Sequence, residues 1–217
     1  MIATDTKTVL GSTATHRVVF TAEYAALDRR SVRSYKDEDV SDEQVQELIS
    51  LTGRAPSAFN VQPWRFVVVR NPELKQQLSA AAYGQKQVVS APVVIVLYSD
   101  MEDVLANIEQ VVNPALPPEK FAETVAMLQR TFGGMTPDVR ATWGNAQANI
   151  ALGYLLLLSK TMGLDTSPML GFQPDQVKSL LDIPASATIT ALVALGHGAE
   201  EGFVSHRHEP SRIMSFR

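Results

Sequence analysis

Arg29-Arg30-Ser31-Val32-Arg33 places three guanidinium groups and a hydroxyl within five residues, directly after the apolar, helix-prone segment from Phe20 to Leu27. If the backbone runs extended here, Arg29, Ser31 and Arg33 share one side, because side chains alternate with a period of two. The planar fork of arginine matches the oxygens of a phosphate or carboxylate, and a hydroxyl between two forks supplies a further donor. The same residues also fit a solvated basic patch at a helix end, where positive charge complements the dipole. The company this stretch keeps along the chain decides between the two readings.

Upstream, Phe20 to Asp28 carries Phe20, Tyr24 and Leu27 at helical spacing, and residues 1–18 are a polar, Thr-rich segment expected to be a flexible tail. Downstream, Ser41 and Gln44 form a capping signal for a helix that ends near Gly53, followed by a turn-rich loop framed by Pro56 and Pro63. Arg65 to Val69 predicts a strand, and Asn71-Pro72 opens another helix. Tyr83 to Gln87 interrupts the pattern before Ala91 to Tyr98, which has the composition of a buried central strand. Met101 to Phe132 is helical but broken by prolines, an excursion suited to a lid or to packing on a partner. Pro137 to Leu164 is the longest helical signal, with an apolar second half from Ile150 to Leu158 expected at a domain centre or a subunit interface and Gly163 as its stop. Ser167 to Phe172 predicts a tight turn, Gln173 to Leu181 a short helix and Thr188 to Gly196 the last strand. Few strands among many helices give an α+β or mixed α/β layout, in one large domain or two small ones.

Composition narrows the function. A net charge of -4 argues against a nucleic-acid surface, so the basic stretch must serve something small. With no cysteine in the chain, disulfides, thiolate nucleophiles and cysteine-held metal centres are excluded. No apolar run reaches the roughly 20 residues that span a bilayer, and the first residues lack a secretory pattern, so a cytoplasmic protein is expected. The glycines never stand at the offsets of a dinucleotide fingerprint or a Walker loop, and no nucleophile elbow surrounds a serine. His206 and His208 are the close pair among the four histidines, which is short of the ligand count a metal site needs.

What remains is a constellation of four parts. The first is the Arg/Ser stretch. The second is the loop Pro56-Ser57-Ala58-Phe59-Asn60-Val61-Gln62-Pro63-Trp64, whose polar side chains sit on a proline-stiffened backbone. Gln85 and Gln87, just before a buried strand, form the third. In the fourth, Pro168 to Gly171, a glycine lets backbone amides approach a planar ligand. Each part alone also fits an ordinary turn. Together with Arg212 they could surround a ligand with a phosphate, a polar chain and a flat hydrogen-bonding ring.

Arg29-Arg30-Ser31-Val32-Arg33-Ser34-Tyr35, then Ala55-Pro56-Ser57 with Asn60-Val61-Gln62-Pro63-Trp64, then Gly163-Leu164-Asp165 with Pro168 and Gly171, resemble the nitroreductase family of FMN-dependent oxidoreductases. The resemblance covers Tyr24 to Arg212 with the motifs in family order. It implies an α+β fold with a central mixed, mostly antiparallel sheet flanked by helices. It also implies a homodimer with FMN at the subunit interface, reduced by NADH or NADPH. By position, Arg29, Arg30, Ser31 and Arg33 would hold the phosphate and ribityl chain, joined by Arg212. Pro56, Ser57 and Asn60 would come from the partner subunit against the isoalloxazine, and Gln87 would bond the ring's polar edge or the ribityl chain. Leu170 and Gly171 would present backbone amides near the flavin N5 and O4, on the cofactor-binding segment that Pro168 opens. Many members carry a lysine where Pro210 stands here, so that contact is missing or comes from His208 or Arg207; many also carry an asparagine near Gly84, leaving Gln85 or Gln87 in its place. No catalytic acid or base side chain and no metal ligand is expected, because the cofactor does the chemistry. The acceptors implied are nitroaromatics, quinones and similar small aromatic molecules. Specialised enoate or aldehyde reduction, dehalogenation and flavin binding without turnover are the alternatives.

Overall fold

The computed structural model describes residues 20–217; the tail expected over 1–18 lies outside the described residues. The chain runs α1 (Ala22–Asp28), α2 (Asp42–Thr52), β1 (Trp64–Val69), α3 (Pro72–Ala81), α4 (Lys86–Ser90), β2 (Val93–Ser99), α5 (Met101–Ala106), α6 (Pro118–Gly133), α7 (Pro137–Thr161), β3 (Asp165–Met169), α8 (Pro174–Leu180), β4 (Thr188–Gly196) and α9 (Pro210–Ile213). The capping chemistry legible in the sequence sets several boundaries. Gln44 N–H donates to Ser41 Oγ at 3.3 Å while Ser41 N–H donates to Gln44 Oε1 at 2.9 Å, a reciprocal box at the start of α2. At the end of α7, Gly163 turns left-handed with φ 77°, and Leu164 N–H reaches back to the Ser159 carbonyl at 2.9 Å. That pairing closes the last turn of the helix and sends the chain directly into β3.

The four strands form one antiparallel sheet in the order β1-β2-β4-β3. The only parallel pairing among the described residues is an isolated bridge between Ser31 and Thr166. Alternate residues of the two central strands face opposite layers. Val94, Val96, Leu192 and Ala194 pack with Leu78 of α3 and Val177 of α8 on one side. Val93, Ile95, Val193 and Leu195 pack with Leu48 of α2 and Leu155 of α7 on the other. Both faces are covered, which is why β2 reads as a continuous apolar run although the sheet is antiparallel. Among the described residues no helix is long and apolar enough to cross a membrane.

One local expectation needs correction. The first half of the turn expected over Ser167 to Phe172, Ser167-Pro168-Met169, instead lies in β3, which pairs through Asp165–Met169 with β4; Pro168 is tolerated because β3 is an edge strand. The inward residue of α1 is Ala25, whereas Leu27 is 76% exposed, so the Phe20, Tyr24 and Leu27 stripe does not face this chain's core. In the apolar half of α7, Ala151 and Leu155 point inward and Ile150 and Tyr154 outward; Leu156 packs against the core. The excursion after β2 builds its own cluster from Val61, Met101, Val104, Ile108, Leu128 and Phe132.

Candidate functional site

The outer edge of β3 is taken by the arginine stretch. Val32 N–H donates to the Thr166 carbonyl at 3.0 Å, which holds Ser31-Val32 extended along the strand. The chain returns over the same stretch after β4. Lys36 N–H donates to the His197 carbonyl at 2.8 Å, Ala199 N–H to the Ser34 carbonyl at 2.9 Å, and Arg33 N–H to Glu200 Oε1 at 2.8 Å. Gly202 then crosses so closely that a Cβ there would lie 3.0 Å from the Ser31 carbonyl oxygen, and its φ of 70° strains any other residue. The arginine stretch is thereby clamped between an edge strand and the C-terminal segment.

Its charges divide into paired and unpaired. Arg30 turns back onto Asp28, donating to Oδ1 at 3.1 Å and to the Asp28 carbonyl at 2.5 Å, so binding an anion would mean leaving that pair. Arg29 is half-buried and has no carboxylate partner among the described residues. Burial first, and the Arg207 guanidinium second, press its pKa below the usual arginine value. Arg33 is exposed and makes one long contact, 3.4 Å to the Ser31 carbonyl. Among the described residues, the Arg207 side chain donates only to the His206 carbonyl, at 2.8 Å, and Arg212 lies exposed on α9. Two guanidinium groups held near each other without a carboxylate repel, and a doubly charged anion between them would remove the repulsion. Beside them Thr166 Oγ1 is buried without a partner.

At the end of β3, Leu170 is 75% exposed and Gly171 follows it at the surface. Gln85 Nε2 donates to the Gly171 carbonyl at 2.7 Å, and buried Gln87 donates to Gln85 Oε1 at 3.1 Å. The two glutamines thus act in series: Gln85 touches the turn, and Gln87 orients Gln85 from within α4. Tyr83 completes this corner, since a Cβ on Gly171 would lie 3.8 Å from its ring.

The loop from Ala55 to Pro63 sits elsewhere. Phe59, Asn60 and Gln62 have positive φ of 56°, 57° and 43°. Such backbone costs of order 1–3 kcal/mol per residue and persists only where the surroundings enforce it. They do so here. Gln62 N–H donates to Ser57 Oγ at 3.0 Å, Ala58 N–H to Gln147 Oε1 on α7 at 2.9 Å, and Phe59 meets Phe132 edge-on with centroids 6.0 Å apart. The excursion after β2 therefore buttresses the loop. Pro56, Phe59 and Asn60 remain exposed.

Arg29, Ser31, Arg33, Pro168, Leu170, Gly171 and Gln87 gather along the β3 edge, while Pro56, Ser57 and Asn60 precede β1 on the opposite edge. Three inter-strand steps of about 4.8 Å, roughly 14 Å, separate the two edges. One chain does not bring all the expected residues together. Gly202 and Gln147 were not visible as site residues in the sequence; the glycine in an otherwise polar tail was the only signal for the first.

The chain has known relatives in sequence and in structure. A model of the Nitroreductase family matches residues 26–197. A Thermus thermophilus protein named NADH dehydrogenase is 46% identical over 92% of this chain and 97% of its own length. Among solved structures, a Nitroreductase Family Protein from Streptococcus pneumoniae superposes with a TM-score of 0.82 at 27% identity, over 91% of this chain and all (100%) of its own. A protein from Exiguobacterium sibiricum, assigned as a nitroreductase and solved in complex with FMN, gives a TM-score of 0.82 at 25% identity, over 97% of this chain and 100% of its own. The fold is that of an NAD(P)H-dependent α+β oxidoreductase. More particularly, the chain belongs to the nitroreductase family.

Proposed function

We propose that residues 19–217 form one FMN-binding domain that passes hydride from NADH or NADPH to flat, electron-poor acceptors such as nitroaromatics and quinones, at two sites shared by a homodimer. The observation that carries the cofactor is Arg29, half-buried on the β3 edge within the field of Arg207 and with no carboxylate partner among the described residues, a charge arrangement that a phosphomonoester dianion satisfies. Arg207 thereby takes the place left by the absent lysine at Pro210, in preference to His208. The donors fit FMN along its length. Arg29, Arg207 and Arg33 offer forks to the phosphate, Ser31 offers a hydroxyl to the polar chain, and the open Leu170-Gly171 backbone would face the flat ring.

Bound FMN would supply the hydride chemistry between nicotinamide and acceptor. The chain's own residues bind and orient. Gln85 fixes the Gly171 carbonyl, which sets the direction of the backbone the ring would meet, and Gln87 prevents Gln85 from rotating away. Neither glutamine, nor Leu170, nor Gly171 can exchange a proton near neutral pH, so the site offers position and polarity without a side-chain acid or base.

Sharing between two copies follows from the opposite edges. A two-fold partner can bring its own Pro56, Ser57 and Asn60 to this chain's β3 edge, which one chain cannot do. Apolar surface supports the same partner. Leu27 at 76%, Ile150 at 39% and Tyr154 at 40% exposure lie on α1 and α7, and Phe203, Ile213 and Phe216 at 84%, 74% and 88% stand out along the C-terminal segment. So much uncovered apolar area marks an interface.

The test is to load the protein with FMN, remove oxygen, add NADH or NADPH, and then a quinone. Bleaching of the visible flavin band, reversed by the quinone, is expected. A protein that binds FMN but stays coloured is a flavin carrier, and one that binds no FMN defeats the reading entirely.

A further inference from the structure

Lys160 lies in the last turn of α7, outside the arginine stretch, and its ammonium bonds two carboxylates at once. Nζ is 2.8 Å from Asp28 Oδ2 and 3.0 Å from Asp165 Oδ1, with the side chain only 17% exposed. Asp28 ends α1 immediately before Arg29, and Asp165 opens β3. Asp165 Oδ2 also accepts Gly198 N–H at 3.1 Å, where the C-terminal segment begins its course over the arginines. Asp165, Glu200 and Arg33 all exert their charge on the buried Tyr35 hydroxyl, so Asp165 and Arg33 are electrostatic neighbours. Glu200 is held by the Arg33 backbone amide. The three segments that frame the anion site thus meet at one lysine.

We infer that Lys160 is a positioning residue of the phosphate clamp, one that withholds Asp28 and Asp165 from Arg29 and Arg33 and so keeps those guanidiniums available for a phosphomonoester. The inference deepens the FMN reading and rests on it. Without Lys160, Asp28 would keep only Arg30, at 3.1 Å, and Asp165 would lose its ammonium partner, next to a stretch whose Arg29 and Arg33 have no carboxylate partner among the described residues. Either carboxylate could then turn toward the clamp. Carboxylate and phosphate compete for the same fork. Burial disfavours the Lys160 charge, yet its bonds to Asp28 and Asp165 prevail and hold its pKa above the ordinary lysine value, so it is a cation at any working pH.

A purely structural brace would weaken every ligand of the site, whereas a guard on the clamp affects only ligands that carry a phosphate. The experiment titrates FMN and riboflavin, which lacks the phosphate, into the native protein, Lys160→Met, Lys160→Gln and the triple variant Asp28→Asn/Lys160→Met/Asp165→Asn. Loss of one fork to an internal carboxylate should raise the dissociation constant for FMN about tenfold in both single variants. Riboflavin should bind each as it binds the native protein. The triple variant, with no carboxylate left to compete, should recover native FMN affinity. Equal weakening of FMN and riboflavin, no change in either, or a triple variant that stays weak would overturn the inference. Should methionine prevent folding, Lys160→Gln and the triple variant carry the same comparison. A native protein that binds FMN no better than riboflavin would instead overturn the phosphate clamp itself.

Discussion

Arg29→Ala should move the apoprotein and the FMN complex in opposite directions. In the apoprotein Arg29 is half-buried, and both its burial and the Arg207 guanidinium penalise its charge. Its removal relieves a like-charge contact, so the melting temperature without ligand should hold or rise. In the complex the same residue supplies a charge-assisted contact worth about 1.5–3 kcal/mol, which corresponds to roughly a tenfold to hundredfold weaker dissociation constant. Flavin fluorescence quenching measures the affinity, riboflavin serves as the phosphate-free control, and thermal melts with and without FMN give the stability. The reasoning fails if FMN binds Arg29→Ala as tightly as the native protein. It fails equally if the apoprotein melts markedly lower and riboflavin is lost in step, because Arg29 would then be a structural residue.

Other expectations follow from the packing and the charges. Gly196→Ala puts a Cβ 2.5 Å from the rigid ring of Pro92 inside the sheet, and should cost about 1–3 kcal/mol in a urea titration; an unchanged midpoint would show that the strand end can shift. The Asp28 carboxyl is held below its ordinary value of 3.8, first by the hydrogen bond from Lys160. A carboxyl depressed on folding contributes stability above its unfolded value and loses it as pH falls, so the gap in melting temperature between native protein and Asp28→Asn should close below about pH 4. A gap constant down to pH 2 or so would contradict the pairing. Tyr154→Lys, on the outward face of α7, should leave the fold intact by circular dichroism while shifting light-scattering mass toward the monomer; a native-like dimer would remove Tyr154 from the seam.

Much of the architecture was legible because it rests on local rules. The Ser41 box, the Asn71-Pro72 start and the Gly163 stop are short-range hydrogen-bond chemistry, and each fell where the sequence put it. The strand at Asp165–Met169 was hidden because Ser167-Pro168 carries a turn signal that only an edge position in a sheet can override. Face assignments were harder. An apolar stripe tells that α1 and α7 bury something, but not whether the cover belongs to the same chain, and Leu27, Ile150 and Tyr154 proved to face outward. At the site, the arginines were visible as a cluster, whereas their division into Arg30, paired, and Arg29, without a carboxylate partner among the described residues, depends on where Asp28, Lys160 and Arg207 lie in space. The order of Gln87 behind Gln85 is likewise a tertiary fact.

The most direct test of a site completed by two copies is mixed reassembly. One variant carries Arg29→Ala and Arg33→Ala, the other Ser57→Ala and Asn60→Ala. Each alone should bind FMN poorly. Unfolded together and refolded in equal amounts, half the dimers are mixed and each of these has one intact site, so about a quarter of the native FMN capacity should return. Recovery near that fraction is the result expected. No recovery, with folded dimers present, would place the clamp and the loop in separate sites and contradict the account.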